Sequence, residues 1–94
     1  MTMTILASRV PIGKVVITRR VWTELSQDDL LRGLVCHMRG DWGELDEFDW
    51  KQNDAALKHG FRLLSNYLTR DGKRFWIITE HDRSVTTILL PDEY

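Results

Sequence analysis

The residues most able to do chemistry are concentrated between Gly40 and Tyr67, a segment that reads GDWGELDEFDWKQNDAALKHGFRLLSNY. Residues 41–54 hold six carboxylates against one lysine, a local charge of −5 in a chain whose formal net charge is −1. An acidic surface of this kind can dock on a basic surface, and tryptophans often anchor such contacts. The same pattern is also typical of a solvated helix whose first turn carries acids favoured by the helix dipole.

We therefore expect a protein-binding surface in this segment. Its candidate residues are Asp41, Trp42, Glu44, Asp46, Asp49, Trp50, Asn53 and Arg62. The expected partner is a protein that handles nucleic acid and so presents a basic groove. The formal net charge of −1 gives no support for direct contact with nucleic acid or with a membrane surface.

Other chemistries find little support in the residue pattern. His37, His59 and His81 fall on separate elements, and no HExxH or CxxC pair is present, so we expect no metal site. We also expect no catalytic residues and no cofactor, since the chain lacks a phosphate-binding glycine loop and a nucleophile elbow. Cys36 reads as a small core residue in a reducing compartment. No apolar run approaches the roughly 18 residues that span a bilayer, and we expect a cytoplasmic protein.

One alternative is a small ribonuclease toxin of the RelE or BrnT kind. The polar side chains that could form its site are Asn53, Lys58, Arg62, Ser65, Tyr67, Glu80 and Arg83. Arginine or lysine would stabilise the pentacoordinate phosphorane, while tyrosine or glutamate would act as acid or base. The likeness to such toxins is one of fold alone, and the basic surface that RNA requires is missing here.

The first half of the chain predicts one short strand and two to three helices. The predicted ranges are residues 14–18 for the strand and residues 19–25, 27–39 and 47–59 for the helices. Thr18, Ser26 and Asp46 are suited to cap the three helix starts. Gly40 and Gly60 are suited to end the second and third helices. We expect one domain over residues 1–94, with residues 1–12 as a loosely held N-terminal arm.

The second half predicts three antiparallel strands, at residues 61–69, 73–80 and 85–90. A two-residue turn at Asp71-Gly72 would set Tyr67 opposite Trp76. The predicted fold class is therefore α+β: an N-terminal strand and two to three helices, then a three-stranded antiparallel meander with one layer of helices on it.

A second turn at residues 82–83 would set Ile78 opposite Thr87, which completes the register of the meander. One face would then carry Leu63, Tyr67, Trp76, Ile78, Val85 and Leu89, and the other Leu64, Leu68, Phe75, Ile77, Ile88 and Leu90. Both faces are largely apolar, so either helices cover both of them, or one face is used in an assembly or in a contact with a partner. A homodimeric structural or regulatory protein is therefore a further alternative.

Three motifs carry a resemblance to a known family. They read GDWGELDEFD, then ND-x-AL-K-HG-x-R-LLS-x-Y, then W-IIT-E-x-DRS-x-TT-x-LLP-x-EY. Together they resemble a family of short uncharacterised bacterial proteins from plasmids and mobile elements, labelled "plasmid-related protein" or "type I restriction endonuclease subunit M". The chain is too short for a methyltransferase, so the subunit M label does not describe its activity. The resemblance instead implies a genomic context, on mobile DNA near restriction or other defence systems. Together with the acidic, tryptophan-bearing segment and the two largely apolar sheet faces, this context favours a small non-enzymatic binding protein, an anti-defence (anti-CRISPR or anti-restriction) or accessory factor.

Overall fold

A strand and three helices precede three further strands in the computed structural model, which describes residues 9–94. In chain order the elements are β1 (Lys14–Ile17), α1 (Arg19–Glu24), α2 (Gln27–Met38), α3 (Glu47–His59), β2 (Leu63–Leu68), β3 (Arg74–Thr79), β4 (Val85–Leu89) and a 3-10 helix (Pro91–Glu93). The α+β class is confirmed, and so is the order of the strands and helices.

The sheet has four strands in the order β1-β4-β3-β2, with β1 parallel to β4 and the other pairs antiparallel. The prediction of a three-stranded antiparallel meander is therefore wrong, because the sheet is a mixed one that includes the N-terminal strand. Three helices lie between β1 and β2 in the chain, and this long connection lets β1 align in parallel beside the last strand.

The β2–β3 hairpin differs from the predicted two-residue turn. The Thr69 N–H donates to the Lys73 carbonyl at 2.8 Å, which leaves three residues in the loop, and Gly72 adopts φ +88°. This is the loop type in which a turn is followed by a left-handed residue. The extra residue shifts the register by one, so Tyr67 lies opposite Phe75 rather than opposite Trp76.

The one-residue shift changes which side chains share a face, because successive strand residues point to opposite faces. The β3–β4 register is as predicted, with Ile78 opposite Thr87. The face that the helices cover carries Leu63, Ser65, Tyr67, Phe75, Ile77, Thr79, Thr86 and Ile88, all buried. Residues from α1 and α2, including Val21, Leu25 and Leu30, pack against this face in the larger core cluster.

The opposite face of the sheet is contacted by the C-terminal residues, which include the 3-10 helix. The side chains of this face include Leu64, Trp76, Ile78, Thr87 and Leu89. The C-terminal residues fold back toward it: the Tyr94 ring meets the Trp76 ring edge to face, with the ring centroids 5.6 Å apart.

The helix boundaries follow the local signals in the sequence. Side-chain oxygens of Thr18, Ser26 and Asp46 accept hydrogen bonds from the backbone of the first turns of α1, α2 and α3. Gly60 ends α3 in the left-handed conformation, at φ +76°. These predicted caps are confirmed, since each depends only on residues within a few positions.

The predicted N-terminal arm falls mostly outside the described residues, which begin at Arg9. Within the part that is described, the N–H groups of Arg9 and Val10 both donate to the Met38 carbonyl, at 2.9 and 3.1 Å. Val10 is fully buried in the smaller core cluster with Trp42. The last residues before β1 are therefore joined to the C-terminal end of α2.

Candidate binding surface

Trp42 lies inside the molecule. Its side chain is fully buried, its indole N–H donates to Asp54 Oδ1 at 2.9 Å, and its ring meets the His37 ring edge to face. Trp50 is half-buried and packs against the same cluster. The two tryptophans of the acidic segment therefore join α3 to the rest of the core, because aromatic side chains of this size contribute much apolar contact when buried.

Asn53 completes the outer edge of β2. Its carboxamide donates to the Leu64 carbonyl at 2.7 Å and accepts from the Leu64 N–H at 3.2 Å. The side-chain amide thus makes the two hydrogen bonds that the backbone of a neighbouring strand would make with Leu64. The side chain is buried, so this candidate binding residue has a structural role.

The segment before α3 closes the next position of the same edge. The Asn66 N–H donates to the Trp42 carbonyl, and the Glu44 N–H donates to the Asn66 carbonyl. Gly43 lies between them, bridged to Asn66, with φ +77° and no room for a side chain. The edge of β2 is therefore covered at both of these residues, which protects it against pairing with another chain.

The carboxylates of the segment remain at the surface. Asp41, Glu44, Asp46 and Asp49 are all exposed, although the Asp46 side chain also caps α3 and Asp41 Oδ1 accepts from the Gly43 N–H. Among these acids stands Phe48, which is 70% exposed. An aromatic residue so exposed among carboxylates was not one of the candidates, although its place in the acidic run could have indicated it.

Arg62 lies apart from this acidic surface, at the start of β2. Its guanidinium sits over the Tyr94 ring, 5.3 Å from the centroid, and it donates to the Tyr94 hydroxyl. The contact is a cation–π pair at an exposed site. Of the eight candidate residues, five therefore present exposed side chains: the four acids, which lie between residues 41 and 49, and Arg62, which contacts Tyr94.

The side chains of the ribonuclease hypothesis do not meet in one cleft. Ser65 and Tyr67 lie on the helix-covered face, whereas Arg62 reaches the opposite face through Tyr94. The Tyr67 hydroxyl donates to the Asp41 carbonyl at 2.6 Å, and burial raises the pKa of this phenol, which makes it a poor proton donor to a substrate. The arrangement offers no support to this hypothesis.

Arg83, another member of that set, binds the end of α3. Its guanidinium donates to the carbonyls of Ala56 and Phe61, at 3.1 and 2.7 Å. These carbonyls lie at the negative end of the helix dipole, where a cation is favourable. Together with the Asp46 cap at the other end, this contact holds α3 in place.

A buried polar chain runs through the core and was not evident in the sequence. The His37 ring contacts Ser65 Oγ at 2.6 Å through Nδ1 and Thr79 Oγ1 at 2.8 Å through Nε2. Thr79 Oγ1 is 2.7 Å from Thr86 Oγ1, which donates to the Ile12 carbonyl at 2.7 Å. These hydrogen bonds therefore link α2, β2, β3, β4 and the segment before β1.

The carbonyl at one end of this chain decides the direction of every hydrogen bond in it. Because the Ile12 carbonyl can only accept, the Thr86 hydroxyl donates to it, and the Thr79 hydroxyl must then donate to Thr86. His37 consequently carries its proton on Nε2, and Nδ1 accepts from the Ser65 hydroxyl. Burial, with a smaller contribution from Arg83, lowers the pKa of His37 to about 4, so the ring is neutral at pH 7.

The buried polar chain contains the residue types of a catalytic nucleophile and base, but a substrate could not reach them. Ser65, His37, Thr79 and Thr86 are all fully buried. A cleft of about 480 Å³ is lined by α2 and the sheet and includes Cys36, Arg39 and Phe75. No group of three potential metal ligands lies within residues 9–94, and none of the helices there is long and apolar enough to cross a membrane.

Comparison with protein-family models, with curated proteins and with solved structures finds no match for this chain. The function must therefore be argued from the surface that the chain presents.

Proposed function

We propose that this chain is a small non-enzymatic binding protein of a mobile element, an anti-defence or accessory factor that contacts a nucleic-acid-handling protein. The binding surface is the acidic ridge, defined here as Glu44, Asp46, Glu47, Phe48 and Asp49. The partner's surface is basic, as a groove that holds nucleic acid must be.

The observation that carries this proposal is the exposure of Phe48 among carboxylates. A large apolar side chain that is 70% exposed to water on a helix gains much from burial in a partner. The flanking acids are exposed and would face the cations around a basic groove. An aromatic anchor surrounded by charges resembles the central residue of a protein interface with its polar rim.

The ridge is also held rigidly, which reduces the entropy lost on binding. The Asp46 cap fixes the start of α3, and Arg83 fixes its end. Trp42 and Asn53 attach the helix to the core and to β2 from below. The buried residues of the segment therefore support the proposal by positioning the exposed ones.

The choice of partner rests on the resemblance to proteins of mobile elements near restriction and other defence systems. An acidic protein that occupies a nucleic-acid groove blocks the enzyme by competing for the same cations. Such binding weakens as salt rises, because exposed charges are screened. Proteins that expose no basic groove should not bind.

Binding of the purified chain to type I restriction complexes and CRISPR effectors, measured by biolayer interferometry, tests the proposal. We expect a stable complex with at least one of them. Phe48→Ala should weaken that complex about tenfold or more, since truncated aromatic anchors typically cost more than 1 kcal/mol. Glu44→Lys should also weaken the complex, and its loss of affinity should be larger at low salt than at high salt.

Phe61→Ala is the matched control, because Phe61 is 64% exposed but lies beyond the end of α3 and outside the ridge. This variant should bind as the unchanged chain does. Equal losses for Phe48→Ala and Phe61→Ala would contradict the acidic ridge as the binding surface. A panel in which no effector binds would contradict the anti-defence function itself.

A further inference from the structure

The two edges of the sheet are treated differently. At the β2 edge, Asn53 and the backbone of Trp42 and Glu44 occupy the outward groups of Leu64 and Asn66. At the other edge, β1 pairs with β4 on one side, and no strand of residues 9–94 pairs with its other side. An uncovered edge strand is a template for another strand.

The backbone groups that β1 presents can be identified from its pairing. The N–H groups of Lys14 and Thr18 donate to the carbonyls of Ser84, just before β4, and of Ile88, at 3.0 and 3.1 Å. Because alternate residues of a strand direct their N–H and C=O groups to opposite sides, those of Val15 and Ile17 point away from the sheet. β1 thus offers two outward donors and two outward acceptors.

An apolar patch surrounds this edge. Half of the large apolar residues that are exposed in the described chain lie here: Val15, Val16, Trp22 and Leu31. Val15, Trp22 and Leu31 line a cleft of about 260 Å³ between β1 and the helices, floored by Leu30, Leu34 and Ile88. An apolar patch beside an open edge indicates a protein contact.

We propose that the open edge of β1 pairs antiparallel with β1 of a second copy of this chain, about a two-fold axis at Val16. In this register Val15 of each copy lies opposite Ile17 of the other, which makes four backbone hydrogen bonds. Lys14 lies opposite Thr18, so no like charges face each other directly. The two sheets become one continuous sheet of eight strands.

A second copy suits the surface because the pairing is self-complementary and stops at two chains. The other edge of each added sheet is its β2 edge, where the outward groups of Leu64 and Asn66 already have partners. The assembly therefore closes as a two-fold dimer and leaves no edge for a third copy. The formal net charge of −1 also produces little repulsion between copies.

The area available is sufficient for a dimer of moderate affinity. Trp22 is 57% exposed, so it contributes about 140 Å² if a whole tryptophan presents about 250 Å². With Leu31, Val15 and Val16, the patch reaches roughly 400 Å² per copy, within the range of functional patches. The paired backbone raises the total buried by both copies to about 1,000 Å², near the lower limit for specific interfaces.

Disulfide trapping tests the register. Val16 is on the two-fold axis at a non-hydrogen-bonded pair, where the two Cα atoms lie about 4.5 Å apart, within reach of a disulfide. In a Cys36→Ala background, Val16→Cys should give a covalent dimer on mild oxidation. Leu68→Cys is the matched control, because Leu68 is 42% exposed and Val16 39%, but Leu68 lies on β2, at the opposite edge of the sheet.

Light scattering of the untagged chain provides a measurement without cysteine chemistry. We expect twice the monomer mass at high protein concentration and a return to the monomer mass after Val16→Lys, which places two cations on the axis. Leu68→Lys should leave the dimer unchanged. A monomer at every concentration, or equal trapping of the Val16 and Leu68 cysteines, would overturn the proposal.

Discussion

At the scale of single residues, Asn53 acts as a peptide group for the edge of β2. Its carboxamide both donates to and accepts from Leu64, so one side chain replaces part of a missing strand. The neighbouring side chain, Gln52, is exposed on the same helix. An alanine substitution at each position therefore distinguishes the loss of the Asn53 hydrogen bonds from the general effect of an alanine on α3.

Asn53→Ala should lower the free energy of unfolding by about 2 kcal/mol, since it leaves a buried N–H and a buried C=O of Leu64 without their partner. Gln52→Ala should change it by less than about 0.5 kcal/mol, as expected for a surface substitution. Urea denaturation of the two variants and the unchanged chain at pH 7 measures the difference. Equal stability of the two variants would show that water satisfies Leu64 as well as Asn53 does.

Residue types alone did not reveal which members of the acidic segment are structural. Tryptophan and asparagine suit a binding surface as well as a core, and the choice depends on contacts with residues distant in the chain. Trp42 reaches Asp54, and Asn53 reaches Leu64. The carboxylates were assigned to the surface correctly because an unpaired carboxylate is rarely buried.

At the scale of elements, the segment between α2 and α3 works as a short edge cover for β2. Gly43 makes its close approach feasible: an added Cβ would lie 2.2 Å from the Asn66 carbonyl oxygen. Gly72 in the β2–β3 loop has a similar left-handed φ, yet an added Cβ there meets nothing within 4 Å. Both glycines adopt a left-handed φ, but only at Gly43 would an added side chain meet other atoms.

Gly43→Ala should destabilise the chain by about 1–3 kcal/mol more than Gly72→Ala, because only the first forces atoms into a filled space. Both variants should lose about 1 kcal/mol from the left-handed backbone. Thermal unfolding followed by circular dichroism measures both. If the two alanine variants unfold together, the Gly43 segment can move away from β2 without loss.

The elements also show where prediction from sequence succeeds. The starts of α2 and α3 were predicted closely, because their N-terminal caps, Ser26 and Asp46, act within one turn. The β2–β3 register was wrong by one residue, since an Asp-Gly pair fits both a two-residue turn and the three-residue loop found here. Because of this one-residue error, Trp76 and Ile78 were predicted on the face that carries Tyr67, whereas the structure places Phe75 and Ile77 there.

At the scale of the whole molecule, the buried His37 chain makes stability depend on pH. The folded-state pKa of about 4 lies below the ordinary value of 6.5, so the unfolded chain binds the proton more readily. Stability from this group is complete above pH 6.5 and is lost as the pH falls toward 4. The expected loss is about 3 kcal/mol, at 1.36 kcal/mol for each unit of pKa.

Urea denaturation at pH 7, 6, 5 and 4 measures this loss. His37→Gln removes the titration while keeping a donor and an acceptor, so its stability should fall less steeply over the same range. His59→Gln, at an exposed position, should keep the slope of the unchanged chain. Parallel slopes for the His37 and His59 variants would contradict a neutral, buried His37.

The parallel pairing of β1 with β4 also sets the order in which the molecule can fold. Its contacts join residues far apart in the chain: Lys14 pairs with Val85 and Ile17 with Ile88, 71 positions apart in each case. The β2–β3 and β3–β4 hairpins close short loops, whereas β1 must wait for the loss of entropy that a long loop requires. We therefore expect the first strand of residues 9–94 to join the sheet last, so that contacts made by β1 govern how fast the protein unfolds rather than how fast it folds.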